Sequence, residues 1–302
     1  MLGALLPEVL LKAIKKLDEN KVYEIRLRRN SPIVVNYQGR NIFLLTEGLV
    51  GEKIFASNQM LQFVLARATE NSLYAFNNQI KQGFITAKGG IRIGIAGESV
   101  NSDNFMPTTI KNINSINIRL PHEVKNCALT GFKFMVGSSG IKNTLIISPP
   151  GAGKTTFLRD IARLLSKQEI IYNCLIVDER FEICSCLNGE PMLDVGEYSD
   201  IVSGASKLFA FTSGIRAMKP DVILTDELIG EEDAEACIRA MRSGVKVVAT
   251  IHANNQFEIC DKKEFKNLFS GKFFERIVVL SCRKGPGTYE GIYDENMNCL
   301  YF

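Results

Sequence analysis

The chain has 302 residues, 46% of them hydrophobic and 23% charged, with a formal net charge of +3. This is the composition of an ordinary globular protein with two domains or one large one, and the charge gives no ground for a nucleic-acid partner. Eight cysteines without a CxxC pair, beside only two histidines, argue against a zinc site and read as free thiols of a reducing cytosol. No run approaches the roughly 18 apolar residues of a transmembrane helix, and the N-terminus, with Glu8 and no basic leader, does not read as a secretory signal.

Residues 4–17 read as an amphipathic helix packed on its own domain, with Leu6, Val9, Leu10, Ala13, Ile14 and Leu17 on one face. Residues 22–28 alternate apolar and polar side chains as a strand does, and 33–37 and 40–45 flank Gln38-Gly39 as a hairpin. Residues 57–69 predict a helix with Met60, Leu61, Val64, Leu65 and Ala68 facing inward. A second hairpin signal spans 84–87 and 91–96 around Lys88-Gly89-Gly90, and 113–120 alternates again before Pro121. The first part of the chain is therefore α+β, and its strands present Arg26, Arg28, Arg92 and Arg119. A polar stretch from 121 to 142, with a helical candidate at 127–136, joins it to a part of different rhythm. There, short apolar runs at 144–147, 174–177, 222–225, 245–251 and 276–280 alternate with helical segments, as in a mostly parallel sheet covered on both faces.

The second part opens on Thr144-Leu145-Ile146-Ile147 followed by Ser148-Pro149-Pro150-Gly151-Ala152-Gly153-Lys154-Thr155-Thr156 and a helical pattern. Strand, glycine turn, Gly-Lys-Thr and helix is the layout of a phosphate-binding loop. Pro150, Gly151, Ala152, Gly153, Lys154, Thr155 and Thr156 are the expected nucleotide-binding residues. Backbone N–H groups near the glycines and at the helix start can point at phosphate oxygens, Lys154 can reach the β- and γ-phosphates, and Thr155 can ligate Mg²⁺. Ser148 stands where the first glycine of the loop pattern belongs.

Two further apolar strands end in carboxylates, Leu175-Ile176-Val177-Asp178-Glu179 and Val222-Ile223-Leu224-Thr225-Asp226-Glu227. Open α/β sheets bind ligands at the carboxyl ends of their strands, so both pairs fall at the edge that carries the loop. Asp226 suits the outer sphere of Mg²⁺ and Glu227 a base that polarises the attacking water, while Asp178 and Glu179 suit supporting roles toward the metal or that water. Val247-Val248-Ala249-Thr250-Ile251-His252 ends in a histidine placed to sense the γ-phosphate or the catalytic carboxylate.

The order of motifs, loop, then VDERFEI, then IRAMKPDVILTDE, then ATIH, resembles the secretion ATPase superfamily of type II and type IV secretion and pilus motors. Asp178 to Ile183 matches its Asp box, Arg216 to Glu227 its Walker B segment and His252 its His box. Within the superfamily the chain is most similar to the stage III sporulation AA family of endospore-forming bacteria. The likeness rests on EIRLR at 24–28, QGFIT at 82–86, GIRIGIAG at 90–97, INSINIR at 113–119 and GPGT at 285–288. Two positions depart from the pattern: Ser148, and Glu197, where an arginine is expected after Gly196.

The resemblance implies a RecA-like P-loop ATPase domain with a mostly parallel sheet at 143–302, preceded by an α+β domain at 1–122 and a linker at 123–142. It implies Mg²⁺-dependent ATP hydrolysis by a homo-oligomeric ring, a hexamer, cytoplasmic and peripheral at the membrane facing the forespore. There it would work with membrane proteins of a sporulation channel complex. In such rings a neighbour's N-terminal arginines complete the site, and Arg92 and Arg119 are the candidates. Two alternatives belong to other classes: a nucleic-acid-stimulated RecA-like translocase, disfavoured by the near-neutral charge, and a nucleotide-binding scaffold that does not hydrolyse.

Overall fold

The computed structural model describes residues 2–101, 107–137, 140–260 and 262–302. The chain forms two compact units, Met1–His122 with Ser185–Met192, and Glu123–Cys184 with Leu193–Phe302. The stretch at 123–142, expected as a linker, packs within the second unit.

In the first unit α1 (Glu8–Ile14) precedes β1 (Val22–Arg28), β2 (Val34–Tyr37), β3 (Arg40–Phe43), α2 (Asn58–Ala68), α3 (Asn77–Lys81), β4 (Phe84–Ala87), β5 (Ile91–Asn101) and β6 (Pro107–Arg119). The strands make one antiparallel sheet in the order β3-β2-β1-β6-β5-β4. Alternation sorts its faces: Ile25, Leu27, Ile93, Ile116 and Ile118 are buried in a core shared with Leu10, Ile14, Leu61 and Val64 of the helices. The helix expected over 4–17 is shorter than its pattern. Pro7 sits at its N-cap position, and a residue before proline is pushed out of the helical region, so residues 2–4 form a separate 3-10 turn. Strands β5 and β6 run longer than the apolar pattern because their far ends also pair polar residues, such as Glu98 with Lys111. The segment 185–192 joins this unit through Leu187, which packs on its core, and through the Gly89 N–H, which donates to Met192 Sδ at 3.5 Å.

The second unit contains α4 (Leu129–Met135), the short ladder β7 (Val136–Gly137) and β8 (Gly140–Ile141), then β9 (Thr144–Ser148), α5 (Lys154–Leu165), β10 (Cys174–Asp178), β11 (Ser199–Ser203), α6 (Lys207–Met218), β12 (Val222–Glu227), α7 (Glu231–Arg242), β13 (Lys246–His252), α8 (Gln256–Cys260), α9 (Lys266–Ser270), β14 (Arg276–Ser281), β15 (Thr288–Asp294) and β16 (Cys299–Tyr301). The main sheet has the order β11-β10-β12-β13-β9-β14-β15-β16, parallel from β11 to β14 and antiparallel at β15 and β16. Every residue of β9 and β10 is buried, as expected of parallel strands covered on both faces. Strand β9 pairs with β13 on one side and β14 on the other, so the loop after it opens at the centre of the sheet edge. No helix among the described residues is long and apolar enough to cross a membrane.

Helix α5 is buried along most of its length and carries charges into the interior. Asp160 and Arg163 pair at 2.6 Å with side chains 3% and 4% exposed. Asp160 also accepts the N–H groups of Asn126 at 3.1 Å and Ala128 at 2.9 Å, and Arg163 donates to Asn126 Oδ1 at 2.9 Å. The chain entering the second unit is thereby tied to the helix that starts at the phosphate loop. Asp160→Ala would leave a buried guanidinium without its counter-charge and two amides without an acceptor, a loss of about 3–5 kcal/mol. Urea denaturation checks this; a loss below about 1 kcal/mol contradicts it.

Candidate functional site

The loop after β9 has the backbone that its glycines require. Gly151 lies at φ +76° and Gly153 at φ +86°, the left-handed region that other residues enter only with strain. Gly153 caps α5, so that helix starts on Lys154 with its free N–H groups facing the loop. Ser148 needs no such freedom. It is the last, buried residue of β9, in register with His252 on β13, and its Oγ donates to Pro149 O at 3.0 Å. Serine therefore fits where the loop pattern has glycine. The hairpin between β14 and β15 braces the loop from beyond β9, where the Gly287 N–H donates to Ala152 O at 2.9 Å.

A cleft of 330 Å³ opens over the loop, lined by Gly151, Lys154 and Thr155, by Arg180 and Glu182, by Asp226 and Glu227, and by His252. Parallel pairing delivers these groups. The strands β9, β10, β12 and β13 all end at this edge, and register sets their last residues side by side.

Lys154, His252 and Glu227 form a chain across the cleft. Lys154 Nζ donates to His252 Nδ1 at 2.7 Å, and His252 Nε2 stands 3.1 Å from Glu227 Oε2. With the ammonium on Nδ1, the ring carries its proton on Nε2 and donates it to the carboxylate. Burial pulls Lys154 down to about 8, against the opposing influence of Glu227. Arg180 Nη1 approaches the same Glu227 oxygen at 3.8 Å.

At Asp226 the register between β12 and β13 slips, so this residue and Glu227 do not simply alternate between faces. Asp226 is 6% exposed, and neither of its carboxylate oxygens has a hydrogen-bond partner. Its neighbour is an ammonium, Lys207 Nζ, 3.1 Å from Oδ1, a charge contact without hydrogen-bond alignment. Burial raises Asp226 to about 6, with Lys207 acting against the rise. An orphaned buried carboxylate lining the same cleft as Thr155 gives an oxygen donor set that fits a hard divalent cation such as Mg²⁺.

The acidic pair on β10 is arranged differently from the sequence expectation. Asp178 is fully buried, and its oxygens accept the N–H groups of Glu182 at 2.8 Å, Ile183 at 3.1 Å and Cys184 at 2.9 Å. Its carboxylate shapes the 179–184 loop rather than standing open to a metal. Arg159 of α5 holds the same loop by donating to Ile183 O at 2.6 Å and Glu182 O at 2.8 Å. Glu179 does not line the cleft; its Oε2 accepts from Lys207 Nζ at 2.7 Å. The carboxylate that this loop does turn to the cleft is Glu182. Arg92 and Arg119 belong to the first unit, opposite one another in register on β5 and β6. Arg119 Nε lies 3.4 Å from Glu24, and the Arg92 guanidinium stacks 4.0 Å over the Phe84 ring.

Sequence reasoning missed Arg159, Arg180, Glu182 and Lys207. The first had a signal, a lone arginine between apolar residues of the helix after the loop. The last had a weaker one, a lysine just after the helix cap Ser206, which accepts from the Phe209 N–H.

Fold and cleft together define a RecA-like P-loop domain. The solved structures it resembles include the pilus retraction motor PilT with bound ADP, at TM-score 0.63 and 15% identity over 90% of this chain and 78% of that one. Another is the Legionella pneumophila ATPase DotB, at TM-score 0.56 and 12% identity over 89% of this chain and 75% of that one. The chain belongs to the family described as sporulation stage III, protein AA, whose model matches residues 1–300. It is 32% identical to the stage III sporulation protein AA of Bacillus subtilis, over 99% of this chain and 96% of that protein.

Phosphate oxygens held against Lys154 would stabilise its ammonium and raise it from about 8. ADP binding is therefore expected to take up more protons at pH 8, where part of Lys154 is neutral, than at pH 6.5, where it is already charged. Calorimetry in two buffers of different ionisation enthalpy measures this; equal uptake at both pH values contradicts it.

Proposed function

We propose that this chain is a Mg²⁺-dependent ATPase that works as a ring motor, or as an assembly ATPase, of a secretion-like channel used in endospore formation. The observation that carries the hydrolytic reading is the Lys154–His252–Glu227 chain, at 2.7 and 3.1 Å, at the mouth of the phosphate loop. Family membership supports the sporulation setting, and the fold shared with PilT and DotB supports the motor class.

In this reading the loop amides and Lys154 bind the phosphates. Glu227 accepts the proton of the attacking water, and His252 holds that carboxylate in place through Nε2–H. Thr155 and Asp226 would hold Mg²⁺, which when bound supplies positive charge to the phosphate oxygens. Asp178 acts through the loop it ties down, and Glu179 through Lys207. The protein would assemble as a hexamer at the cytoplasmic face of the membrane toward the forespore, with membrane proteins of the channel as partners. Arg92 and Arg119 of one subunit would complete the site of the next.

Lys154→Ala is expected to abolish ATP binding. Glu227→Gln is expected to keep binding within about threefold and lower the hydrolysis rate by at least about 100-fold. Wild-type turnover by Glu227→Gln would remove Glu227 from the mechanism, and tight binding with no turnover by the wild-type chain would favour the scaffold. Specific activity should rise with protein concentration as mass measurements show a ring forming, and fall at all concentrations in Arg92→Ala with Arg119→Ala. A rate flat from monomer to ring excludes arginines acting between subunits.

A further inference from the structure

Lys207 enters the hydrolytic roles above only as the partner of Glu179, yet it is among the most deeply placed charges of the second unit. Its side chain is 2% exposed, and its Nζ lies 2.7 Å from Glu179, 3.1 Å from Asp226 and 3.8 Å from Asp233. These acids come from three elements: the loop after β10, the irregular end of β12 and the first turn of α7. Burial works against the charge on Lys207, but Asp226, Glu179 and Asp233 outweigh it and hold the ammonium above its ordinary value.

Without the ammonium, three carboxylates would converge on one half-buried point with up to three negative charges and only oxygen donors. That is the donor set of a hard divalent cation. We propose that Lys207 is an internal cation that occupies this acidic cluster, so that divalent metal enters the site only with a nucleotide. The orphaned Asp226 oxygens bear on this directly. Oδ1 faces the ammonium, while Oδ2, equally buried, has no hydrogen-bond partner. A metal arriving alone would meet a fixed positive charge 3.1 Å from the carboxylate it needs, a repulsion less screened than at the open surface. A metal arriving on phosphates brings its own negative ligands and needs only the remaining Asp226 oxygen. The same arrangement keeps the site from retaining a bare metal after product leaves. Lys207 is a positioning residue: it acts through Asp226 and Glu179 and touches no phosphate in this account.

The proposal rests on the nucleotide-site reading for what carries the metal, but its test uses no turnover. Mn²⁺ binding to the full chain without nucleotide is followed by electron paramagnetic resonance, in wild type, Lys207→Met and Lys207→Arg. Lys207→Met is expected to bind Mn²⁺ at least about tenfold more tightly than wild type, and Mn²⁺ is expected to raise its melting temperature by several degrees. Wild type and Lys207→Arg should show neither response, and adding Asp226→Asn to Lys207→Met should remove the gain. If Lys207→Met stays soluble only when refolded with Mn²⁺, the metal has taken the ammonium's place and the proposal stands. A folded Lys207→Met that binds Mn²⁺ no better than wild type overturns it. So does one that is insoluble with and without the metal, because the ammonium is then purely structural. Wild-type turnover by Glu227→Gln would remove the hydrolytic assignment and leave these metal results untouched.

Discussion

Charge taken out of water must be matched, and the second unit is organised by that requirement. Five charged side chains of its phosphate-loop edge lie wholly or largely buried: Lys154, Arg159, Asp178, Lys207 and Asp226. Each has a different answer to the same cost. Lys154 lends its proton to a histidine that leads on to Glu227. Asp178 takes three backbone amides, and Arg159 takes two carbonyls of the same loop. Lys207 is surrounded by carboxylates. Asp226 alone keeps oxygens unmatched by hydrogen bonds, and an incompletely satisfied buried group is where a ligand gains most by arriving.

This matching works because the groups come from separate elements held at fixed spacing. Parallel pairing in the order β10-β12-β13-β9 ends four strands at one edge. A turn or helix then leaves each strand on the same side, so loops that are distant in sequence become neighbours. The 179–184 loop shows the consequence. It is clamped by Asp178 from its own strand and by Arg159 from α5, the helix whose first residue is Lys154. The helix that follows the glycine loop and the element that presents Arg180 and Glu182 therefore form one hydrogen-bonded assembly. Asp160 extends it to the segment at 126–128, where the chain enters the unit.

The first unit solves a simpler problem. Its sheet buries one face against helices and leaves Glu24, Arg26, Arg92 and Arg119 on the other. Glu24 holds Arg26 and Arg119 together, and Phe84 supports Arg92, so the basic side chains are ordered rather than loose. An arginine whose direction is already set loses less entropy when it meets an anion.

The phosphate loop, both acid-terminated strands and His252 were legible in the sequence because each is a local pattern. A short apolar run, a glycine pair at positive φ and a polar residue at the strand end are all written in neighbouring residues. The hairpins and inward faces of the first unit were legible for the same reason, since a period of two survives without knowledge of the partner. The exception of Pro7, which shortened the first helix, was local too and only needed weighing. What the tertiary structure alone decided is which partner each carboxylate meets. Asp178 and Asp226 look alike in sequence, each an aspartate closing an apolar strand before a glutamate. One is neutralised by amides four to six residues on; the other faces a lysine from a separate helix. Lys207 had little weight in the sequence because its three partners lie 19 to 28 positions away across loops, and only folding turns those separations into contacts of 2.7 to 3.8 Å.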